Sequence, residues 1–311
     1  MATRSGTDSR PARENDEMVS PRGILITVAA TVVSGLSPAP TLSLNTGAVM
    51  PALGFGTYRL NGEELSDALR CAIAAGYRHI DTAAGYENEH VVAAAIAESG
   101  IPREEFFLTS KLWCTDHGDE AFDAALSSLA QLDTDYLDLY LMHAPNNLGE
   151  SAEDKVELRR QSWAAMTALH EAGCLRAIGV SNFEPRHIEQ LLQWGEVTPA
   201  VNQVETHAYL GQAHIREYCD AKGIALTSFG SVGAEGLLSD PTVRRIAEAR
   251  GRLTLALSLT RAQTLTRPRP RTLALALTLT RPEGAVPRRS RSGTRCSAAA
   301  RCSRARPRPR G

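Results

Sequence analysis

Short apolar runs alternate with amphipathic segments from Ser43 to Arg250, and this alternation restricts the possible folds more than any other feature of the chain. The apolar residues of the amphipathic segments recur at the spacing of an α-helix. Several of these segments end at a glycine just before the next apolar run, as helices commonly do. Seven units of a strand followed by a helix predict a parallel sheet with right-handed crossovers. The predicted strands cover residues 53–56, 77–81, 106–110, 137–142, 177–180, 200–204 and 224–229.

Two α/β architectures fit such an alternation: an open doubly wound sheet and a closed (β/α)8 TIM barrel. The open, dinucleotide-binding type is expected to carry GxGxxG after its first strand, whereas residues 54–59 read GFGTYR and lack the third glycine. The chain also lacks the phosphate-binding loop GxxxxGK(S/T). Polar residues recur where the predicted strands end, as in barrels whose catalytic groups gather at that face. We therefore predict a (β/α)8 TIM barrel.

Four of the polar residues at the strand ends suit proton transfer. Asp81 ends the second predicted strand, Lys111 follows the third, His143 follows the fourth, and Tyr86 lies in the loop after Asp81. Each alone has an ordinary interpretation, such as loop packing or a buried histidine. Together they could protonate a carbonyl oxygen, because a nearby ammonium is expected to lower the pKa of a phenol from about 10. Asn88, after this loop, is predicted to cap the next helix.

A resemblance to a known family rests on six stretches: LNTGAVMPALGFGTY, HIDTAAGYENE, LTSKLW, YLMHAP, IGVSNF and VNQVE. In order and spacing they resemble the aldo-keto reductase family, and we assign this domain to residues 41–250. The resemblance implies a barrel that reduces aldehydes or ketones to alcohols by hydride transfer from NADPH, with NADH left open. It also implies a catalytic set with tyrosine as general acid: Tyr86, Lys111, Asp81 and His143.

The same resemblance implies which residues bind the cofactor and the substrate, and it implies no metal. It assigns cofactor contacts to Thr57, Asp81, Ser181, Asn182, Gln203 and Phe229. It assigns substrate contacts to Tyr58, His143 and Ala144. Phe229 stands where the family usually stacks a tyrosine on the nicotinamide. Ala144 replaces a frequent tryptophan, which is expected to widen the pocket.

The resemblance stops near Arg250, where an eighth strand and a last helix are expected to follow. From Gly251 onward the chain has fifteen arginines, no lysine and one acid, a balance of +14 against −1 for the whole chain. Residues 251–311 therefore have three interpretations: a basic arm that binds nucleic acid or acidic membrane, a flexible linker, or a translation in the wrong reading frame. The abrupt break favours the third, and the alternating run at 273–280 is a candidate for a substitute eighth strand.

The remaining features bear on location and partners. Six cysteines without a CxxC pair predict reduced thiols and a cytoplasmic protein. Residues 1–40 are predicted to form an N-terminal extension without a signal, because several acids precede the apolar run at 23–36, as they do not in secretory or transit peptides. Organelle targeting by this extension is the alternative. We expect a small-molecule carbonyl substrate, no specific nucleic acid, no membrane and a monomer.

Two other functions compete with carbonyl reduction. A barrel lysine can form a Schiff base, which would make Lys111 the nucleophile of an aldolase. The barrel could also be non-catalytic, as a cofactor-sensing or scaffold subunit or a defective product. The joint presence of Asp81 and Tyr86 favours the reductase over both.

Overall fold

The computed structural model describes residues 40–195, 197–249, 302, 305 and 306. Most of the N-terminal extension at 1–40 therefore lies outside the described residues. So do nearly all of the tail at 251–311, including the run at 273–280, and the positions of the expected eighth strand. No helix in the described ranges is long and apolar enough to cross a membrane.

The described chain contains a short hairpin and a seven-stranded parallel sheet. Strands β1 (Thr41–Ser43) and β2 (Val49–Pro51) pair antiparallel. The parallel sheet follows chain order without a crossover between distant strands. Its strands are β3 (Gly54–Gly56), β4 (His79–Asp81), β5 (Phe107–Leu112), β6 (Leu139–Met142), β7 (Ile178–Ser181), β8 (Val201–Glu205) and β9 (Ala225–Phe229).

Seven helices accompany these strands in the described part of the chain. They are α1 (Gly62–Ala74), α2 (Glu89–Ser99), α3 (Ala121–Gln131), α4 (Ala152–Glu171), α5 (Pro185–Trp194), α6 (Ala213–Ala221) and α7 (Pro241–Ala249). Helix α1 buries Leu65, Leu69 and Ile73, which recur every fourth residue and so lie on one face. Ser151 and Asp154 form a reciprocal capping box at the start of α4.

This arrangement confirms the predicted barrel class, with seven of its strands in the described residues. Each of the seven predicted strands is present, with ends that differ by at most two residues. The parallel strands and their intervening helices form a nearly closed barrel, and β3 and β9 are its two edges in the described part. Strand β6 is buried throughout, whereas no residue of β9 is buried.

Side chains alternate between the barrel interior and the surrounding helices, because successive residues of a strand face opposite sides. Leu108 and Tyr140 belong to the apolar cluster that includes the helices. Phe107, Leu139 and Leu141 form a second cluster with Leu44 and Met50 of the hairpin region. The hairpin therefore covers the end of the barrel where the strands begin, and the opposite end remains for polar groups.

The prediction that all six cysteines are reduced thiols is wrong for one pair. Cys174 and Cys302 form a disulfide with 6.0 Å between their Cα atoms. The two residues are 128 positions apart and no short spacing links them, so the sequence pattern could not pair them. Arg306, four residues on, forms an ion pair with Asp123 of α3 and stacks over Phe122.

Candidate active site

The four residues predicted to transfer a proton meet at the ends of β4, β5 and β6. Asp81 is the last residue of β4, and Lys111 lies near the end of β5. His143 follows β6 directly, and Tyr86 ends a short 3-10 turn at Ala84–Tyr86 after β4. Because the strands are parallel and adjacent, their carboxyl ends bring these side chains to one place.

Lys111 is the centre of this arrangement and is almost fully buried. Its Nζ forms an ion pair with Asp81 and donates a hydrogen bond of 2.8 Å to the carbonyl oxygen of Thr82. The same Nζ lies 3.4 Å from the Oη of Tyr86. A buried ammonium requires such acceptors, and both of them stabilise its charged form.

The sequence-based expectation for the Tyr86 pKa is wrong in direction. Burial raises the pKa of Tyr86 above its usual value, and the charge of Lys111 opposes this effect without reversing it. Desolvation disfavours the phenolate more than one ammonium favours it. Tyr86 is therefore a protonated phenol at neutral pH, which is the form that can give a proton.

His143 is a neutral imidazole in this environment. Burial, followed by the charge of Lys111, lowers its pKa from 6.5 to about 4. Its ring contacts Tyr86 edge-on, with 5.6 Å between ring centroids. Its buried Nδ1 makes no hydrogen bond with any described residue. His143 can accordingly hydrogen-bond to a substrate oxygen without adding positive charge beside Lys111.

Two aromatic side chains form walls around these groups. The ring of Tyr58 lies 5.0 Å from that of Tyr86, and Trp113 meets His143 edge-on at 4.8 Å. Tyr58 was predicted, but sequence reasoning missed Trp113. Its signal is Gly85, where an added Cβ would collide with the indole of Trp113. A glycine next to Tyr86 therefore marks the close approach of a bulky neighbour.

A profile of the Aldo/keto reductase family matches residues 52–267 of this chain. The chain belongs to the aldo-keto reductase family. Glyoxal reductase of Bacillus subtilis is 43% identical over 214 residues, which span 68% of this chain and 74% of that protein. Among solved structures, an aldo/keto reductase from Brucella melitensis has a TM-score of 0.63 and 40% identity, covering 68% of this chain and 80% of its own. A Bombyx mori aldo-keto reductase in complex with NADP has a TM-score of 0.61 and 33% identity, covering 70% and 77% of the two chains.

The polar residues that the resemblance assigns to the nicotinamide lie at the ends of β7 and β8. Ser181 donates to the carbonyl oxygen of Gln203 at 2.8 Å, and Gln203 Nε2 donates to Asp81 at 2.7 Å. Asn182 Nδ2 donates to the carbonyl oxygen of His143 at 3.0 Å. The side-chain oxygens of Asn182 and Gln203 accept no hydrogen bond from the described residues, and such acceptors suit the NH₂ of a carboxamide. This donor and acceptor set fits a nicotinamide.

The structure places the other predicted contacts at different depths. Thr57 is fully buried, and its hydroxyl is shared between Asp81 O and Asn88 Oδ1. Ala144 is half-buried next to His143. Phe229 ends β9 and is 38% exposed, so its ring has an open side. The position of Phe229 is compatible with ring stacking, which stays a prediction.

Asn88 behaves differently from its prediction as a helix cap. It occupies the N-cap position of α2, but its side chain makes no capping hydrogen bond. The amide is fully buried and turns instead toward Thr57, Leu60 and Thr82. Helix α2 ends at Ser99, and its C-cap Gly100 is in the left-handed conformation that glycine readily adopts.

Proposed function

We propose that this aldo-keto reductase reduces aldehydes or ketones to alcohols, with NADPH as the hydride donor and Tyr86 as the general acid. The observation that carries the proposal is the approach of Lys111 Nζ to Tyr86 Oη, 3.4 Å apart, beside the ion pair with Asp81. A phenol held next to a buried ammonium can donate its proton and leave a phenolate that the ammonium stabilises.

Each of the four residues has a separate role in the proposed reaction. His143 donates a hydrogen bond to the carbonyl oxygen as a neutral imidazole and orients it toward Tyr86. As the C=O π bond breaks, the proton of Tyr86 Oη passes to that oxygen to form the alcohol. Lys111 stabilises the resulting phenolate, and Asp81 keeps Lys111 in place. NADPH, when bound, supplies the hydride that forms the new C–H bond.

The cofactor assignment rests on Ser181, Asn182 and Gln203 and on the NADP named in the Bombyx mori complex. The free oxygens of Asn182 and Gln203 would accept the carboxamide NH₂, and Phe229 would pack against the ring. We propose NADPH before NADH because of that structural relative, and a titration of both cofactors would decide.

Small aldehydes are the substrates that we propose to test first. The relative from Bacillus subtilis is named for glyoxal, a two-carbon dialdehyde. The small side chain of Ala144 beside His143 would leave room for larger carbonyls as well. We further propose a monomer in the cytosol with no specific nucleic acid and no membrane as partner.

A Tyr86→Phe substitution tests the proposal, because it removes the proton and keeps the ring. We expect kcat for NADPH-dependent glyoxal reduction to fall by at least about 100-fold, the low end for general acid catalysis. The dissociation constant of NADPH, measured by the quenching of tryptophan fluorescence, should stay within about threefold of the parent value. The matched control is Tyr218→Phe, which removes a hydroxyl bonded to Glu189 far from the site. Parent-like kcat in Tyr86→Phe would overturn the proposal.

The aldolase alternative has weaker support. The Lys111 ammonium is held by Asp81 and by the Thr82 carbonyl, whereas a Schiff base requires a neutral amine. Borohydride trapping of a carbonyl substrate on Lys111 would revive that alternative.

A further inference from the structure

We propose that Asn88 is a positioning residue. Its one buried amide fixes the position of the Tyr58 ring and also that of the Lys111 ammonium. The proposal rests on the proposed reductase function for its kinetic consequences. It carries a second consequence, the protection of Lys111, that does not depend on catalysis.

The amide nitrogen of Asn88 holds the loop after β3. Its Nδ2 donates to the carbonyl oxygens of Thr57 at 3.0 Å and Leu60 at 2.8 Å. Leu60 also donates its own N–H to Thr57 O at 3.2 Å, so these residues form a closed turn. Tyr58 lies inside that turn, and fixing both of its ends fixes the approach of Tyr58 to Tyr86.

The amide oxygen of Asn88 holds the segment after β4. Its Oδ1 accepts a hydrogen bond of 2.7 Å from the hydroxyl of Thr82. The carbonyl oxygen of the same Thr82 accepts the 2.8 Å hydrogen bond from Lys111 Nζ. Asn88 is therefore one residue removed from the group that supports the Tyr86 phenolate.

An asparagine is suited to both tasks at this position. Its side chain offers two donors and an acceptor oxygen on one planar group, and both donors and the oxygen are used. Aspartate has no donor for the two carbonyls, and serine is too short to reach both sides. Because the site is fully buried, water does not replace a lost bond without rearrangement.

The test uses Asn88→Ser, with Asn45→Ser as a matched control. Asn45 donates one hydrogen bond to Pro199 O and lies outside the catalytic groups. A second variant, Thr82→Val, removes the hydroxyl that bonds to Asn88 and keeps the carbonyl that bonds to Lys111. Thermal unfolding of all variants is the check that each one is folded at the labelling temperature.

The first readout is the rate at which acetic anhydride acetylates each lysine, measured by peptide mass spectrometry. The chain has three lysines, so Lys155 and Lys222 serve as internal references for Lys111. In the parent protein Lys111 is 1% exposed and should react far more slowly than both. Asn88→Ser should raise the Lys111 rate relative to Lys155 by at least about fivefold, and Thr82→Val by a smaller factor. An unchanged ratio in folded Asn88→Ser would overturn the proposal, whether or not the protein reduces aldehydes.

The second readout is kinetic and separates positioning from general stability. Asn88→Ser should lower kcat by about 10- to 100-fold, with the NADPH dissociation constant within about threefold of the parent value. It should also shift the pH limit of alcohol oxidation upward, because a loosened Lys111 opposes the raised pKa of Tyr86 less effectively. A parent-like kcat together with a lower unfolding temperature would mean that Asn88 only stabilises the fold, and would contradict a positioning role. Failure of the reductase function itself would appear separately, as full activity in Tyr86→Phe.

Discussion

Two aspartates, the buried Asp138 and the half-buried Asp81, lie at opposite ends of the barrel and have different surroundings. Asp138, before β6, accepts hydrogen bonds from Arg103 at 2.8 Å, Arg176 at 3.0 Å and the N–H of Leu108 at 2.9 Å. Both guanidinium groups also stack on the ring of Tyr136. Asp81, at the end of β4, binds Lys111 and Gln203 instead.

The difference lies in what else the cation touches. At Asp138 the planar guanidinium groups are held by carboxylate, carbonyl and aromatic partners, so the cluster joins strands and adjacent loops. At Asp81 the ammonium also faces the phenol of Tyr86, whose proton can leave. We therefore expect the same acid type to stabilise the fold at one end and, under the proposed function, to support proton transfer at the other.

The largest expected effect comes from Lys111→Met, which removes the ammonium and keeps an unbranched side chain. Without it the Tyr86 phenolate loses its stabilising charge, and we expect kcat for aldehyde reduction to fall by about 10³-fold. Steady-state kinetics with NADPH would measure this loss. Lys222→Met, which breaks a surface pair with Glu189, should leave kcat unchanged. Equal kinetics in both variants would argue against a role for Lys111.

Disrupting the cluster around Asp138 should lower the stability of the protein and leave its reaction rate unchanged. Arg103→Met leaves Asp138 without one of its two cations, and we expect the free energy of unfolding to fall by about 3–5 kcal/mol. Urea unfolding followed by circular dichroism measures this change. Arg70→Met removes a surface pair with Asp67 and should cost less than about 1 kcal/mol. If both variants lost the same small amount, the cluster at Asp138 would not be a structural link.

The next largest contribution to the free energy of unfolding is expected from the disulfide between Cys174 and Cys302. A cross-link over 128 residues restricts the unfolded chain, so Cys302→Ser should lower the free energy of unfolding by about 2–4 kcal/mol. Reduction of the parent protein by dithiothreitol should have the same effect. Cys114→Ser is the control, because Cys114 is outside this bond. Peptide mapping without reductant should recover the 174–302 pair, and its absence would restore the sequence-based prediction of reduced thiols.

Acid should weaken the fold through two histidines, the buried His117 and the half-buried His143. The pKa values of His117 and His143 are lowered to about 4, whereas an unfolded histidine has a pKa near 6.5. The unfolded chain therefore binds more protons below about pH 6.5, and stability is lost as the pH falls from there to 4. The loss is at most about 3 kcal/mol for each histidine. Urea unfolding at intervals between pH 7 and 4 measures the slope.

His117→Asn should reduce that slope, whereas the exposed His214→Gln should not. Stability that stayed constant between pH 7 and 5 would contradict the neutral state of the His117 and His143 rings.

The sequence predicted the barrel and the convergence of Asp81, Tyr86, Lys111 and His143, because strand ends in a parallel sheet share one face. It failed where the outcome depends on a balance of energies or on distant contacts. The direction of the Tyr86 pKa depends on how burial compares with the charge of Lys111. The Cys174–Cys302 pair and the turn of Asn88 away from its helix depend on residues that no local pattern connects.

The most direct test of the account compares Asp81→Asn with Asp138→Asn in the same assays. We predict that Asp81→Asn lowers kcat/KM for aldehyde reduction by at least about 100-fold in a protein that remains folded at the assay temperature. We predict that Asp138→Asn lowers the free energy of unfolding and keeps kcat/KM within about threefold. Parent-like kcat/KM in folded Asp81→Asn, or an inactive but stable Asp138→Asn, would contradict the separation of the two roles.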